Sequence, residues 1–141
     1  MFGNTMDQLL EFISNHYLLV AAWVFTLIML LMTESRKSGK SVTPSIATQM
    51  INKEDAVVLD IRAKKEWAAG HITSAINIPL ADLDRRIGEL EKHKQHPIVV
   101  VCNLGQSASA ATKKLKDAGY NAVRLSGGMT EWKGQSLPVV K

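Results

Sequence analysis

The sequence predicts an α/β fold: a parallel sheet with helices on both faces, preceded by one N-terminal transmembrane helix. Three observations carry that expectation. Apolar runs of strand length without polar alternation, at residues 56–59 and 98–101, read as strands buried on both faces. Segments of helical spacing separate them, and strands alternating with helices imply right-handed crossovers and a mostly parallel sheet. Residues 12–33 contain no Asp, Glu, Lys or Arg, and 17–32 are almost continuously apolar.

At about 1.5 Å per residue, a helix over 12–33 is about 33 Å long, close to the thickness of a bilayer's hydrocarbon core. A cleaved leader would need a basic start and a small-residue cleavage site. Here Asp7 and Glu11 precede the run, and Met32-Thr33-Glu34 supplies no such site. A buried core helix, hydrophobic all round, is the competing reading, but a complete domain that does not need it follows. Arg36, Lys37 and Lys40 follow the run and no Lys or Arg precedes it. The positive-inside bias then places the N-terminus outside and the C-terminal domain in the cytoplasm, at the inner membrane. Tyr17 and His16 stand where interfacial anchors would, and residues 34–41 form a polar linker with a reach of about 15 to 17 Å. The expected organisation is a tail and span over 1–33, a linker over 34–41 and a domain over 42–141, with membrane lipid the partner of 12–33.

Within the domain, Val42-Thr43-Pro44-Ser45 reads as a strand end, then an N-cap, then proline at the first helical position. The helix carries Ile46, Ala47, Met50 and Ile51 on one face. After the strand at 56–59, a short helix over 64–69 should end at Gly70, and a strand over 75–78 should stop at Pro79. Leu80, Leu83, Ile87 and Leu90 recur at helical spacing with Asp82, Arg85, Arg86, Glu89 and Lys92 outward, which predicts an amphipathic helix. The strand at 98–101, a helix over 107–118 stopped by Gly119 and a strand over 122–125 complete the alternation.

Cys102 is the single cysteine of the chain and directly follows Ile98-Val99-Val100-Val101. Ligands of open α/β sheets bind beyond the carboxyl ends of strands, which is where this thiol falls. The turn Asn103-Leu104-Gly105-Gln106-Ser107 then opens a helix, so backbone N–H groups and the helix end can hold negative charge on sulfur. A lone cysteine can equally be a small buried hydrophobe. The flanking motifs decide between these readings.

Val57-Val58-Leu59-Asp60-Ile61-Arg62, then Glu66-Trp67-Ala68-Ala69-Gly70-His71-Ile72 and Ala75-Ile76-Asn77-Ile78-Pro79, resemble the amino-terminal signature of rhodanese-like domains. Leu125-Ser126-Gly127-Gly128-Met129, with Trp132 and Pro138, resembles that family's closing element, a glycine pair opening a short helix. Cys102 lies between them at the position of the family's active-site cysteine. The resemblance spans 42–141. It implies that Cys102 attacks the outer sulfur of a small donor, becomes a persulfide, and passes sulfur to a thiol or other thiophilic acceptor. It implies no cofactor and no metal: the backbone of Asn103, Leu104, Gly105, Gln106 and Ser107 would cradle the sulfur. Ser107 is also expected to cap the helix that follows.

Many members of the family carry Arg or Lys within this loop, whereas here positions 103 and 106 are Asn and Gln. Losing one charge-assisted contact to an anionic donor costs about 1.5 to 3 kcal/mol. The related phosphatases have Cys-x5-Arg, and Ala108 at the arginine position argues against phosphate chemistry. Asp60, Arg62 and Glu66 read as ties between the strand and the next helix, and His71 as fixing the following turn. His93 and His96 make no metal spacing. Trp67 and Trp132 read as core.

With one cysteine, an intrachain disulfide framework is excluded. The formal net charge is +4, but basic residues are interleaved with acids, which argues against nucleic acid as a partner. Two functions remain in view: a membrane-tethered sulfurtransferase, or a rhodanese-like adaptor without turnover that binds a membrane protein partner through the apolar span.

Overall fold

The computed structural model describes residues 2–37 and 39–141, with side chains for 3–33 and 39–141. The chain divides into two compact units, one up to Arg36 and one from Lys37.

The first unit is a pair of helices, α1 (Phe2–Asn15) and α2 (Tyr17–Lys37). A single straight helix over 12–33 is not what forms. The chain breaks at His16, and Gly3–Asn15 and Tyr17–Thr33 meet at 88°. Among the described residues, no single helix is long and apolar enough to cross a membrane; the bent pair meets that criterion together. The break falls where the pattern changes. In α1, Met6, Leu9, Leu10 and Ile13 share one stripe against Asn4, Asp7, Gln8 and Glu11, while α2 is apolar on all sides to Met32. The expected linker is also shorter, because α2 continues to Lys37. Ser38 lies outside the described residues.

The second unit holds a five-stranded sheet: β1 (Ser41–Val42), β2 (Val57–Asp60), β3 (Ile76–Asn77), β4 (Ile98–Val101) and β5 (Ala122–Leu125). All neighbours are parallel, in the order β1-β5-β4-β2-β3. The central strand β4 is wholly buried. Its alternation sends Ile98 and Val100 to one face and Val99 and Val101 to the other.

Helices cover both faces. On one side lie α3 (Pro44–Lys53), through Ala47, and α7 (Gly128–Gly134), through Met129 and Trp132. On the other, α5 (Leu83–Arg86) contributes Leu83, and α6 (Ser107–Asp117) contributes Ala108, Ala111 and Leu115. The remaining helix, α4 (Lys64–Ala69), has no buried residue and runs just where its short pattern places it.

Local chemistry explains the ends of these elements. Thr43 caps α3, its hydroxyl accepting from the Ile46 N–H at 3.3 Å, with Pro44 in the first turn. Ile46 itself is 48 % exposed, so the buried stripe of α3 is narrower than its spacing predicts. Gly119, at φ +91°, ends α6. The amphipathic helix expected from Leu80 to Lys92 is instead a 3-10 turn (Leu80–Asp82), the single α turn α5, and a second 3-10 stretch (Ile87–His93). Gly88 in mid-segment disfavours a continuous α-helix. The 3,4,3 spacing still buries Leu83 and Leu90.

Candidate functional site

Cys102 follows β4 immediately, and the parallel register of β4 on β2 sets Val101 opposite Asp60. The Ile61 N–H donates to the Val101 carbonyl at 3.0 Å, so the residues leaving both strands start side by side. That edge carries the site. Asp60 and Arg62 are buried there, the guanidinium donating to both carboxylate oxygens, with Nη2 to Oδ2 at 2.7 Å. Arg62 Nη2 also donates to the Gly70 carbonyl at 2.8 Å, and Asn77 Nδ2 donates to the carbonyls of Asp60 and Arg62. A buried charge needs such complete pairing.

The loop after Cys102 is anchored from below and behind. Gly105 adopts φ +89°, and a Cβ there would lie 3.2 Å from the Leu125 carbonyl oxygen and the Gly127 nitrogen, so any other residue would be strained and crowded. Its N–H donates to Cys102 Sγ at 2.9 Å, an oriented dipole aimed at the sulfur. Its carbonyl accepts from Arg124 Nη1 at 3.2 Å, which sets a cation behind the loop. From α7, the Met129 N–H donates to the Cys102 carbonyl at 2.8 Å and the Thr130 N–H to the Asn103 carbonyl at 3.0 Å. Gly128 makes that approach possible: at φ +57°, any Cβ would collide with the Cys102 carbonyl oxygen.

In front of the sulfur is a cavity of about 270 Å³ lined by Cys102, Asn103, Leu104, Gln106 and Ser107, and across from them by Ile61, Arg62, Ala63, Glu66 and Leu80. Cys102 is a free thiol, 5 % exposed, that reaches solvent through this pocket. At the rim, Asn103 Nδ2 donates to Glu66 Oε1 at 2.9 Å, while Glu66 Oε2 accepts from the Ala63 N–H. Leu104 stands 63 % exposed at the loop tip. The arrangement suits a nucleophilic sulfur met by one oriented backbone dipole, that of Gly105, and facing a space the size of a small thiol compound.

Of the five residues expected to cradle the sulfur through their backbone, Gly105 is the one whose amide donates to it. Asn103, Leu104, Gln106 and Ser107 line the pocket instead. Ser107 is not the helix cap: Gln106 occupies that position, in αR conformation and without a side-chain capping bond, and Ser107 begins α6. His71 stacks on Trp67 with ring centroids 3.9 Å apart, donates from Nδ1 to the Trp67 carbonyl, and bridges to Val140 by paired backbone bonds. It holds the turn, as Asp60 and Arg62 hold the strand exit. Trp132 Nε1 donates to the Pro138 carbonyl at 3.0 Å, closing the carboxyl-terminal turn. Among the described residues, no group of His, Cys, Asp and Glu is arranged to hold a metal ion. Sequence reasoning gave no site role to Gly128, Arg124 or the Glu66–Asn103 contact. The glycine pair after a buried strand was the available signal, marking a close backbone approach; the other two join residues far apart in the chain.

Comparison with known proteins gives concordant results. The model of the rhodanese-like domain matches residues 43–135. The uncharacterized protein YibN of Escherichia coli K12 is 36 % identical over 96 % of this chain and 99 % of its own length. An adenylyltransferase and sulfurtransferase, uba4, of Ogataea parapolymorpha is 38 % identical over 57 % of this chain, which corresponds to 21 % of that protein. Among solved structures, a rhodanese-related protein of Thermoplasma volcanium superposes with a TM-score of 0.66 at 31 % identity, over 72 % of this chain and 97 % of its own. A thiosulfate sulfurtransferase of Pseudomonas aeruginosa shares the fold, with a TM-score of 0.66 at 21 % identity, over 73 % of this chain and 19 % of its own.

Proposed function

Because the chain belongs to the rhodanese-like domain family, we propose that it is a membrane-tethered sulfurtransferase working through a Cys102 persulfide. The observation that carries this reading is the Gly105 N–H aimed at Cys102 Sγ at 2.9 Å, on the floor of the pocket. The Cys102 thiolate attacks the outer sulfur of a donor R–S–SH. The donor's S–S bond breaks, RS takes the electron pair and the proton, and Cys102–S–S⁻ remains. An acceptor thiolate R′–S⁻ then attacks the outer sulfur, forming R′–S–S⁻ and returning Cys102–S⁻. Both steps keep one negative charge at the loop, where the Gly105 dipole and the cation of Arg124 behind it favour it.

The tether in this reading is the first unit. From Tyr17 to Thr33, α2 rises about 25 Å at 1.5 Å per residue, less than the hydrocarbon core of a bilayer, so the candidate tether is the bent pair together and not α2 alone. With its polar and apolar stripes, α1 suits the lipid interface, and a bend of 88° is what a helix lying flat beside an upright one requires. Arg36, Lys37 and Lys40 support a cytoplasmic second unit in this reading, by the positive-inside bias.

The chemistry is tested on the full-length protein in detergent, incubated with several sulfane donors and analysed by intact mass. Cys102 should gain one sulfur, about 32 Da, and lose it to a thiol; no adduct with any donor would overturn the reading. The tether is tested in spheroplasts, where external protease should leave the second unit intact. If Cys102→Ser preserved a cellular phenotype that deletion of 1–36 abolishes, the adaptor reading would replace the enzymatic one.

A further inference from the structure

Resting on the proposed sulfur transfer, we infer that Glu66, held by Asn103, sets the charge of the donor that reaches Cys102: the site takes persulfides on uncharged or cationic carriers and turns away dianionic thiosulfate. Two charged side chains line the pocket, Arg62 and Glu66. Arg62 is only 6 % exposed, and its guanidinium is engaged by the Asp60 carboxylate and the Gly70 carbonyl, so as a pair with Asp60 it presents no net charge to an incoming donor. Arg124 is not among the lining residues and spends its contact on the Gly105 carbonyl from behind. Among the described residues, the Glu66 carboxylate is therefore the charge lining the mouth without an ion pair.

Its position is fixed rather than incidental. One carboxylate oxygen accepts from Asn103 Nδ2 and the other from the Ala63 N–H. Asn103 is in turn pinned through its carbonyl by the Thr130 N–H. The carboxylate thus faces the same space as the sulfur from a rim set by α4 and α7 together. Ile61, Leu80 and Leu104 add apolar lining that favours an organic carrier over an inorganic anion. Charge at a partly enclosed mouth acts on approach as well as on binding.

The test compares persulfides of matched size on the full-length protein in detergent: that of cysteamine, with an ammonium carrier, and that of 3-mercaptopropionate, with a carboxylate carrier. Thiosulfate is the third donor. In each reaction the outer sulfur moves to Cys102 and the carrier thiol, or sulfite, departs with the electron pair. For wild type, kcat/KM for persulfide formation should favour the ammonium carrier by about tenfold, a preference that shrinks as salt rises. Glu66→Gln should erase most of that preference and raise thiosulfate turnover about three- to tenfold, while Glu66→Asp should retain the preference. Equal wild-type rates with the two carriers, or an unchanged ratio in Glu66→Gln, would overturn the inference. No adduct with any of the three donors would instead remove sulfur transfer itself, and this selectivity with it.

Discussion

The two units of this chain use the same residue types in opposite ways. In the second, Leu59, Ile98 and Val100 are 0 % exposed, sealed between sheet and helices; in the first, Leu18 is 70 %, Trp23 67 % and Phe25 65 % exposed. Burial of a Leu or Ile side chain contributes about 1.5 to 3 kcal/mol, so the sheet domain draws its stability from within while α1 and α2 leave their large apolar side chains exposed. Composition alone does not separate them. What does is whether the apolar residues of a segment can all find partners in the same chain, and the proposed lipid surroundings of α2 follow from that difference.

Removing 1–36 would test the contrast most severely. The remaining chain should leave the membrane fraction entirely and keep the urea unfolding midpoint of the intact second unit; retention in the membrane, measured after carbonate extraction, would break the comparison. Next in size, Arg62→Ala strands the Asp60 carboxylate at 1 % side-chain exposure. It should destabilise the second unit by about 3 to 5 kcal/mol in urea titrations. A matched pair then sharpens the contrast: Leu90→Ala, at a fully buried position, should cost about 2 to 5 kcal/mol. Leu27→Ala in α2 should leave the same transition unmoved. The smallest effect concerns His93, whose pKa is held below its ordinary 6.5 by burial first and then by Lys92 and His96. The unfolded chain then binds more protons there, so this contribution to stability is full above pH 6.5 and fades as pH falls through the native pKa. His93→Gln should flatten that slope between pH 7 and 5, as read from unfolding midpoints.

Features set by neighbouring residues were legible in the sequence. The run Ile98–Val101 is strand β4 to the residue, Lys64–Ala69 is α4, and Thr43-Pro44 is a cap followed by a first turn. The thiol's place beyond a buried strand follows from these. What depended on contacts distant in sequence was not legible. Glu66 meets Asn103 across 37 positions, and Gly128 closes on the Cys102 carbonyl only once α7 is laid against the loop. Two errors had local causes of a subtler kind: Gly88 let the segment after Leu80 tighten into 3-10 turns, and the change from a striped to an all-apolar pattern at His16 divided a run that hydropathy alone treats as continuous.

The bonds from Met129 and Thr130 to the carbonyls of Cys102 and Asn103 have a consequence for biosynthesis. A ribosome delivers the amino-terminal helices first, the cysteine later, and the clamp that shapes its loop last of all. The thiol therefore emerges unshaped and acquires its setting only when α7 is laid against its loop, so whatever reactivity that setting confers belongs to the completed fold and not to the nascent chain.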